Sequence, residues 1–274
     1  MDIEFEIGRR LELFQLLSRS ARDITLPLFK APRDIVNKAS GSDYDPVTKA
    51  DIDAEDVLRQ QILIAFPDDG IEGEEFPNHT GKNQFSWTLD PIDGTRAFVA
   101  GVPMWTTLIA LSYENMPVLG MIDVPAMDQC YMGQTYGKTK SAWIEPADNR
   151  DKNKLNTRTC PTLIEAVLGC TEPLAMFKPG EFAAYNMIRR GTRFSRLGLD
   201  AYGYAMVASG RMDIIIEAGL KPCDVRALIP IIEGAGGKLT NWHGGSAVNG
   251  GQVVAVGDEA LLPELYIYLG RAMD

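Results

Sequence analysis

Apolar positions recur at helical spacing over residues 4–24, at Phe5, Leu11, Phe14, Leu17, Ala21 and Ile24, and predict an amphipathic helix with one face toward a core. The stretch "DIDAEDVLRQQILIAF" from Asp51 repeats that pattern and carries acids in its first turn, where the helix dipole favours them. The periodicity then changes. "SWTLD" ending at Asp90, "TTLIALSY" from Thr106, "PVLGMIDV" from Pro117 and "QCYMG" from Gln129 are short apolar, β-branched runs. Four strands in succession predict a largely antiparallel sheet against which both helices pack.

Residues 133–160 are polar and rich in turn formers, which places the joint between two halves there, with one half over 1–145 and the other over 146–274 of a single structural unit. Beyond the joint, strands and helices alternate: a strand at "EAVLGC", a helix from Glu181, a strand near "TRFSRLG", a helix over "LDAYGYAMVASG" and a strand at "DIIIEAG". "PCDVRALIPIIEGAGG" follows, opening on Pro222 and closing on Gly236 and Gly237, as a helix does. A strand at "QVVAVG" and a C-terminal helix complete the pattern.

Composition narrows the function classes. Of 274 residues 45% are hydrophobic and 23% charged, as in a globular protein with a full core. The formal net charge of −10 disfavours direct contact with nucleic acid. Arg189, Arg190, Arg193 and Arg196 form the notable basic cluster, read as a solvated helix end. No apolar run reaches the length of about 20 residues that spans a bilayer, and the first residues lack the order of a signal peptide, so no membrane association and a cytoplasmic location are expected. Cys130, Cys160, Cys170 and Cys223 are far apart and read as reduced core residues, while two histidines leave little scope for imidazole chemistry.

Candidate chemistry lies in the acids. In "LDPIDGT", Asp90 ends a strand, Pro91 bends the chain and Asp93 can turn back toward Asp90; Gly94 permits close backbone approach and Thr95 opens a short helix. Glu74 and Glu75 stand one loop earlier, Asp224 opens a helix after "IIIEAG", and Asp51 opens another past Thr48 and Lys49. Carboxylates gathered at one point repel unless they protonate or recruit cations. Oxygen donors with no neighbouring His or Cys select magnesium over zinc, and cations beside a helix N-terminus suit hydrolysis of a phosphate ester.

"GEE", "WTLDPIDGT" and "PCDVRALIPIIEGAGG", in that order, resemble the three-part signature of the inositol monophosphatase family, and the likeness covers nearly the whole chain. The resemblance implies an α+β fold, a layered α-β-α-β-α sandwich of the inositol monophosphatase and fructose-1,6-bisphosphatase type, working as a homodimer on a small-molecule phosphate ester. It implies that Glu74, Asp90 and the Ile92 carbonyl hold one Mg2+, that Asp90, Asp93 and Asp224 hold a second, and that Glu74 orients water on a weaker third, with Mn2+ as a possible substitute. By the same resemblance the Thr95 hydroxyl, positioned by Asp51, helps to activate the attacking water. Backbone N–H groups of Gly94 and Thr95 are expected to face the phosphoryl oxygens.

For the leaving group, Asp200 stands where inositol phosphatases carry a small residue, and Glu217 matches the family's substrate-hydroxyl position. Two anions there suit a cationic amine, and the wording of the motifs is closest to the histidinol-phosphate phosphatase branch. Asp200 has a second reading as a helix cap. Inositol-1-monophosphatase activity, or a regulatory role bound to transcription machinery, are the alternatives. "GQTYGKT" is one residue short of a phosphate-binding P-loop and reads as a turn between strands.

Overall fold

The computed structural model describes residues 2–30, 35–37, 46–146 and 152–272. Helix α1 (Ile3–Lys30) buries Ile7, Phe14, Leu17 and Ala21, so its core face is rotated from the expected one: Phe5 is 64% exposed. Two arginines complete the buried stripe. Arg10 grips Asp69 with bonds of 2.7 and 2.8 Å, and Arg22 grips Asp123 with bonds of 2.6 and 2.8 Å. Reading apolar letters alone misses such positions, because a guanidinium can enter a core when a carboxylate meets it in bidentate geometry.

After two short paired strands, β1 (Ile35–Asn37) and β2 (Pro46–Thr48), the chain enters α2 (Lys49–Ala65). The large sheet then forms from β3 (Gly70–Gly73), β4 (Phe85–Asp93), β5 (Thr106–Tyr113), β6 (Met116–Val124), β7 (Gln129–Tyr136), β8 (Thr139–Glu145) and β9 (Asn153–Lys154), in that order. A short helix, α3 (Thr95–Ala100), interrupts it after β4. Among the described strands of this sheet only the β3–β4 pair is parallel, so the expectation of a largely antiparallel sheet holds.

Of the polar segment 133–160, where the joint between the halves was expected, residues 147–151 lie outside the described residues. The segment contains the β7–β8 hairpin and β9, and "GQTYGKT" supplies the hairpin turn at Gly137 and Lys138. Residues 134–141, around the hairpin turn, are half-buried or exposed, so their polar letters reflect exposure. The large sheet ends at Lys154.

The second sheet has the order β11-β10-β12-β14-β13, built from β10 (Val167–Cys170), β11 (Phe194–Leu197), β12 (Ile214–Leu220), β13 (Lys238–Asn241) and β14 (Gly251–Val256). Its helices are α4 (Pro173–Met176), α5 (Pro179–Gly191), α6 (Asp200–Ala208), α7 (Pro222–Arg226), α8 (Leu228–Gly234) and α9 (Leu262–Arg271). The expected single helix after Pro222 is two, broken at Ala227.

Five layers result. Helices α1 and α2 cover the outer face of the large sheet, α6, α7 and α8 fill the space between the sheets, and α5 and α9 cover the far face of the second sheet. This is the α-β-α-β-α sandwich expected. Two glycines paired across β6 and β7, Gly120 and Gly133, set the middle spacing. A Cβ on Gly120 would meet the Ala227 carbonyl at 2.0 Å, and one on Gly133 would meet the Ile231 nitrogen at 2.3 Å. The α7–α8 junction can therefore press its backbone directly onto the sheet. No helix among the described residues is long and apolar enough to cross a membrane.

Candidate active site

Asp90 and Asp93 should point to opposite faces of β4, because side chains alternate along a strand and the two are three residues apart. The register resolves this. Asp90 pairs with Leu108 and Asp93 with Thr106, so β4 spends one more residue than β5 between the two pairs. The bulge is pinned where the Thr107 hydroxyl donates to the Pro91 carbonyl at 2.7 Å. The strand thus runs on through Pro91, where a turn was expected, and the extra residue restores both carboxylates to one side. Gly94 then takes φ 78°, the left-handed conformation that suits glycine, and α3 starts at Thr95. The Thr95 hydroxyl donates to the Ile92 carbonyl at 3.0 Å.

The second half brings Asp224. It is the third residue of α7, and its Oδ2 accepts the Lys221 backbone N–H at 2.7 Å, closing the helix start. Arg226 on the next turn donates to Glu72 Oε2 at 2.8 Å and to the Thr88 hydroxyl at 3.1 Å, tying α7 to β3 and β4. Asp90, Asp93 and Asp224 consequently present oxygens within 4.8 Å of one another. Glu74, Asp90 and Cys223 form an equally tight group. Asp51 lies buried in the first turn of α2, close enough for its charge to raise the Asp90 carboxyl.

Glu74 sits on a loop held from beneath. Glu55 on α2, fully buried, accepts the backbone N–H of Glu75 at 2.8 Å and of Phe76 at 3.3 Å, while Arg59 pairs with it at 2.7 Å. Gly73 makes this possible, since a Cβ there would lie 2.0 Å from Glu55 Oε1. Lys221 reaches Glu74 Oε1 with its ammonium at 2.9 Å.

Electrostatics follow from this crowding. Burial, then the charges of Glu74, Asp93, Asp224 and Asp51, push the Asp90 carboxyl well above the usual carboxylate range. Burial, then Asp200 and Asp224, do the same to Asp93, and burial raises Asp224. The Asp90 Oδ1 atom is buried with no hydrogen-bond partner. A buried carboxylate oxygen without a donor, inside a cluster of like charges, is the signature of a place that a cation fits. The metal that the sequence resemblance implies is thus compatible with the side chains present.

Asp93 does more than face Asp90. Its Oδ2 accepts from the Thr106 hydroxyl at 3.1 Å and from the Ala201 backbone N–H at 2.9 Å, so it caps α6 from across the site. The preceding N–H, of Asp200, goes to the Thr171 hydroxyl at 3.0 Å. The helix cap assigned to Asp200 itself by its second reading is supplied by Asp93 and Thr171. Asp200 takes φ 47°, a conformation uncommon outside glycine, and its carboxylate lies against Gly94, where an added Cβ would stand 3.1 Å from Oδ2. Burial pushes its carboxyl up to about 6.

Glu217 lies behind this wall. Its Oε1 accepts the Thr171 N–H at 2.9 Å and hydroxyl at 2.6 Å, and its Oε2 accepts the Tyr204 hydroxyl at 2.9 Å. Burial pushes its carboxyl up to about 7. A pocket of about 400 Å3 opens over the acids, lined by Glu74, Asp90, Asp93, Asp224, Asp200 and the Gly94–Thr95 backbone, with Glu172, Arg96 and Lys221 at its walls. Glu217 lines a smaller adjoining cavity of about 70 Å3 together with Asp200 and Asp93. A larger groove of about 620 Å3, between the β5–β6 turn and residues 244–248, shares no residue with either.

Sequence reasoning passed over Glu55, Thr171, Tyr204 and Cys223. Glu55 and Tyr204 looked like members of amphipathic helices, and Thr171 like a strand end. Cys223, read as a core residue, is half-buried beside the acids. Its adjacency to Asp224 was the one available signal.

Known proteins resemble this chain over most of its length. The model of the inositol monophosphatase family matches residues 12–270. The chloroplastic bifunctional phosphatase IMPL2 of Arabidopsis thaliana is 37% identical over 87% of the chain, which spans 66% of that protein's length. A histidinol-phosphatase of Chlorobaculum parvum is 32% identical over 95% of the chain and 96% of its own length. An inositol-1-monophosphatase of Mesorhizobium japonicum is 33% identical over 79% of the chain and 80% of its own length. The solved structure of an inositol monophosphatase from Zymomonas mobilis superposes with a TM-score of 0.82 at 36% identity, covering 97% of this chain and 98% of that one. With a matching family model over nearly its whole length and phosphatases as relatives, the chain belongs to the inositol monophosphatase family and is a phosphoric monoester hydrolase.

Proposed function

We propose that this phosphatase uses Mg2+ to hydrolyse a small phosphate ester whose alcohol carries a cationic amine, with histidinol phosphate as the preferred substrate. The observation that carries the reading is the acidic wall opposite the metal-type cluster: Asp200 in the pocket, with Glu217 behind it and Glu172 beside it. Such a wall attracts a cationic leaving group and disfavours a neutral polyol of equal size. Relatives named histidinol-phosphatase add support, while the Mesorhizobium relative keeps inositol 1-phosphate as the second reading.

Glu74, Asp90, Asp93, Asp224 and the Ile92 carbonyl are the residues assigned to Mg2+. Bound there, the cation supplies Lewis-acid charge to the phosphoryl group and makes water a stronger nucleophile. The chain's own contributions are orientation and charge. Gly94 and Thr95 N–H groups are offered to the phosphoryl oxygens, where negative charge builds in the transition state. Asp51 and Thr95 are assigned to holding the attacking water. The Glu217–Thr171–Asp200 relay fixes Asp200 toward the leaving group: Glu217 draws the Thr171 proton, which leaves the Thr171 oxygen free to accept the Asp200 N–H.

Phosphate release from histidinol phosphate, myo-inositol 1-phosphate, fructose 1,6-bisphosphate and adenosine 3′,5′-bisphosphate, each with Mg2+ and with EDTA, tests this. The expected result is the highest kcat/KM for histidinol phosphate, lost in EDTA and lowered selectively by Asp200→Asn. Preference for the inositol ester, untouched by that substitution, overturns the substrate assignment.

A further inference from the structure

The donor set beside Asp90 is not uniform. Glu74, Asp90 and the Cys223 thiol present donor atoms all within 4.8 Å of one another, while Asp93 and Asp224 complete an all-oxygen set with Asp90. The Cys223 thiol donates to Asp224 Oδ1 at 3.5 Å, and Cys223 lines a groove of about 340 Å3 together with Glu72, Glu74, Asn78, Thr88 and Lys221. Glu74 and Lys221 border both this groove and the main pocket. Within the group, Asp90 is 2% exposed and its Oδ1 is buried without a hydrogen-bond partner. A thiol and a buried carboxylate with one unpartnered oxygen thus stand together, and the groove reaches the thiol and Glu74.

We propose that Cys223, with Glu74 and Asp90, forms a mixed sulfur–oxygen site that binds thiophilic divalent cations such as Zn2+ and Co2+, which reach it through the side groove. This rests on the reading of Glu74 and Asp90 as cation-holding residues and adds to it a sulfur donor that the all-oxygen group lacks. Thiolate selects soft and borderline ions, whereas Mg2+ takes oxygen alone, so one chain holds two preferences side by side. Zn–S contacts of about 2.3 Å and Zn–O contacts of about 2.1 Å bring three donors to roughly the observed spacing after small side-chain rotations. On binding, the S–H bond breaks, its proton goes to the buffer, and the sulfur lone pair forms the bond to the ion; no electrons are exchanged. Lys221 releases Glu74 in the same step. Because Asp90 belongs to both groups, an ion held by sulfur competes with Mg2+ for that carboxylate.

The test titrates CoCl2 into the full chain without Mg2+, recording bound Co2+ by equilibrium dialysis and the near-ultraviolet thiolate-to-cobalt charge-transfer band by absorption. The wild-type protein is expected to bind Co2+ and show the band. Cys223→Ser should lose the band while still binding Co2+, and its Zn2+ affinity should fall at least about tenfold. Bound Co2+ without the band overturns the sulfur site and leaves the oxygen site standing. A band that persists in Cys223→Ser assigns the sulfur to another cysteine and overturns the proposal. No bound Co2+ at all overturns both readings. Far-ultraviolet dichroism of the variant shows that it is folded, and the wild-type spectrum decides the matter even if it is not.

Discussion

Glu55 Oε2 accepts the Glu75 backbone N–H at 2.8 Å, so a residue of the outer helical layer holds the loop that presents Glu74. The same carboxylate takes Phe76 N–H and the Arg59 guanidinium. Its position at the base of the loop makes it a support whose loss is felt at Glu74, one residue from the bond.

Glu55→Ala leaves two backbone donors and a largely buried guanidinium without their acceptor. Outer partners of this kind contribute about 10–100-fold to metal affinity or activity. The variant is expected to need more Mg2+ for half-maximal turnover by a factor in that range, and to lose about 3–5 kcal/mol of stability as the broken partner of a buried pair. Mg2+ titration of initial rates at fixed substrate, alongside urea unfolding, separates the two effects. An unchanged Mg2+ requirement in folded protein removes the support role.

The large elements and the acid cluster were legible because each has a local cause. β5 is an unbroken apolar, β-branched run, and its bounds from Thr106 to Tyr113 match the pattern. Glu74, Asp90, Asp93 and Asp224 stood out as acids next to apolar strands, where a solvated role is hard to sustain. What stayed hidden is non-local. Arg10 and Arg22 read as surface charges until Asp69 and Asp123, 59 and 101 residues away, are seen beside them. The bulge that aligns Asp90 with Asp93 depends on pairing with β5, and no feature of "LDPIDGT" alone distinguishes it from a turn. Cys223 stands beside Asp224 in the sequence, but its approach to Glu74 and Asp90 arises only when β4 and α7 are brought together.

Asp200 gives a pH-dependent prediction. Burial raises its carboxyl from the ordinary 3.8 to about 6, so the folded state binds the proton more tightly than the unfolded one. Ionised Asp200 therefore costs stability; the cost is absent below about pH 3.8, grows between there and pH 6, and is complete above. Asp200→Asn, measured in EDTA, is expected to be more stable than the wild type at pH 7 by on the order of 2–3 kcal/mol, with the gain shrinking toward pH 4. A gain that stays constant over this interval contradicts the assignment.

Lys221 occupies Glu74 with an ammonium where a metal cation is assigned. The pair is partly exposed, with the lysine side chain at 56%, which limits it to about 0.2–1 kcal/mol. Lys221→Met should accordingly tighten Mg2+ binding by no more than about 1.5–5-fold. Calorimetric titration of Mg2+ into both proteins checks this. Weaker binding in the variant would mean that Lys221 assists the site instead of competing for it.

Asp90 separates function from stability most sharply. Its carboxylate is buried, raised by four neighbouring acids and unpartnered at Oδ1, so without metal it opposes folding. Asp90→Asn keeps the volume and removes the charge. In EDTA the variant should melt higher, by about 0.5–2 kcal/mol of stability, the usual return on relieving a strained functional group. At this chain length each kcal/mol corresponds to roughly 2–4 °C in Tm. Added Mg2+ should raise the wild-type Tm by mass action and leave the variant almost unmoved, because a ligand stabilises only the state that binds it. The two melting curves are therefore expected to draw together, and with sufficient affinity to cross, as Mg2+ is added, while turnover is abolished in the variant throughout. A wild-type Tm indifferent to Mg2+, or a variant destabilised in EDTA, would show that Asp90 is held by the fold rather than by a cation.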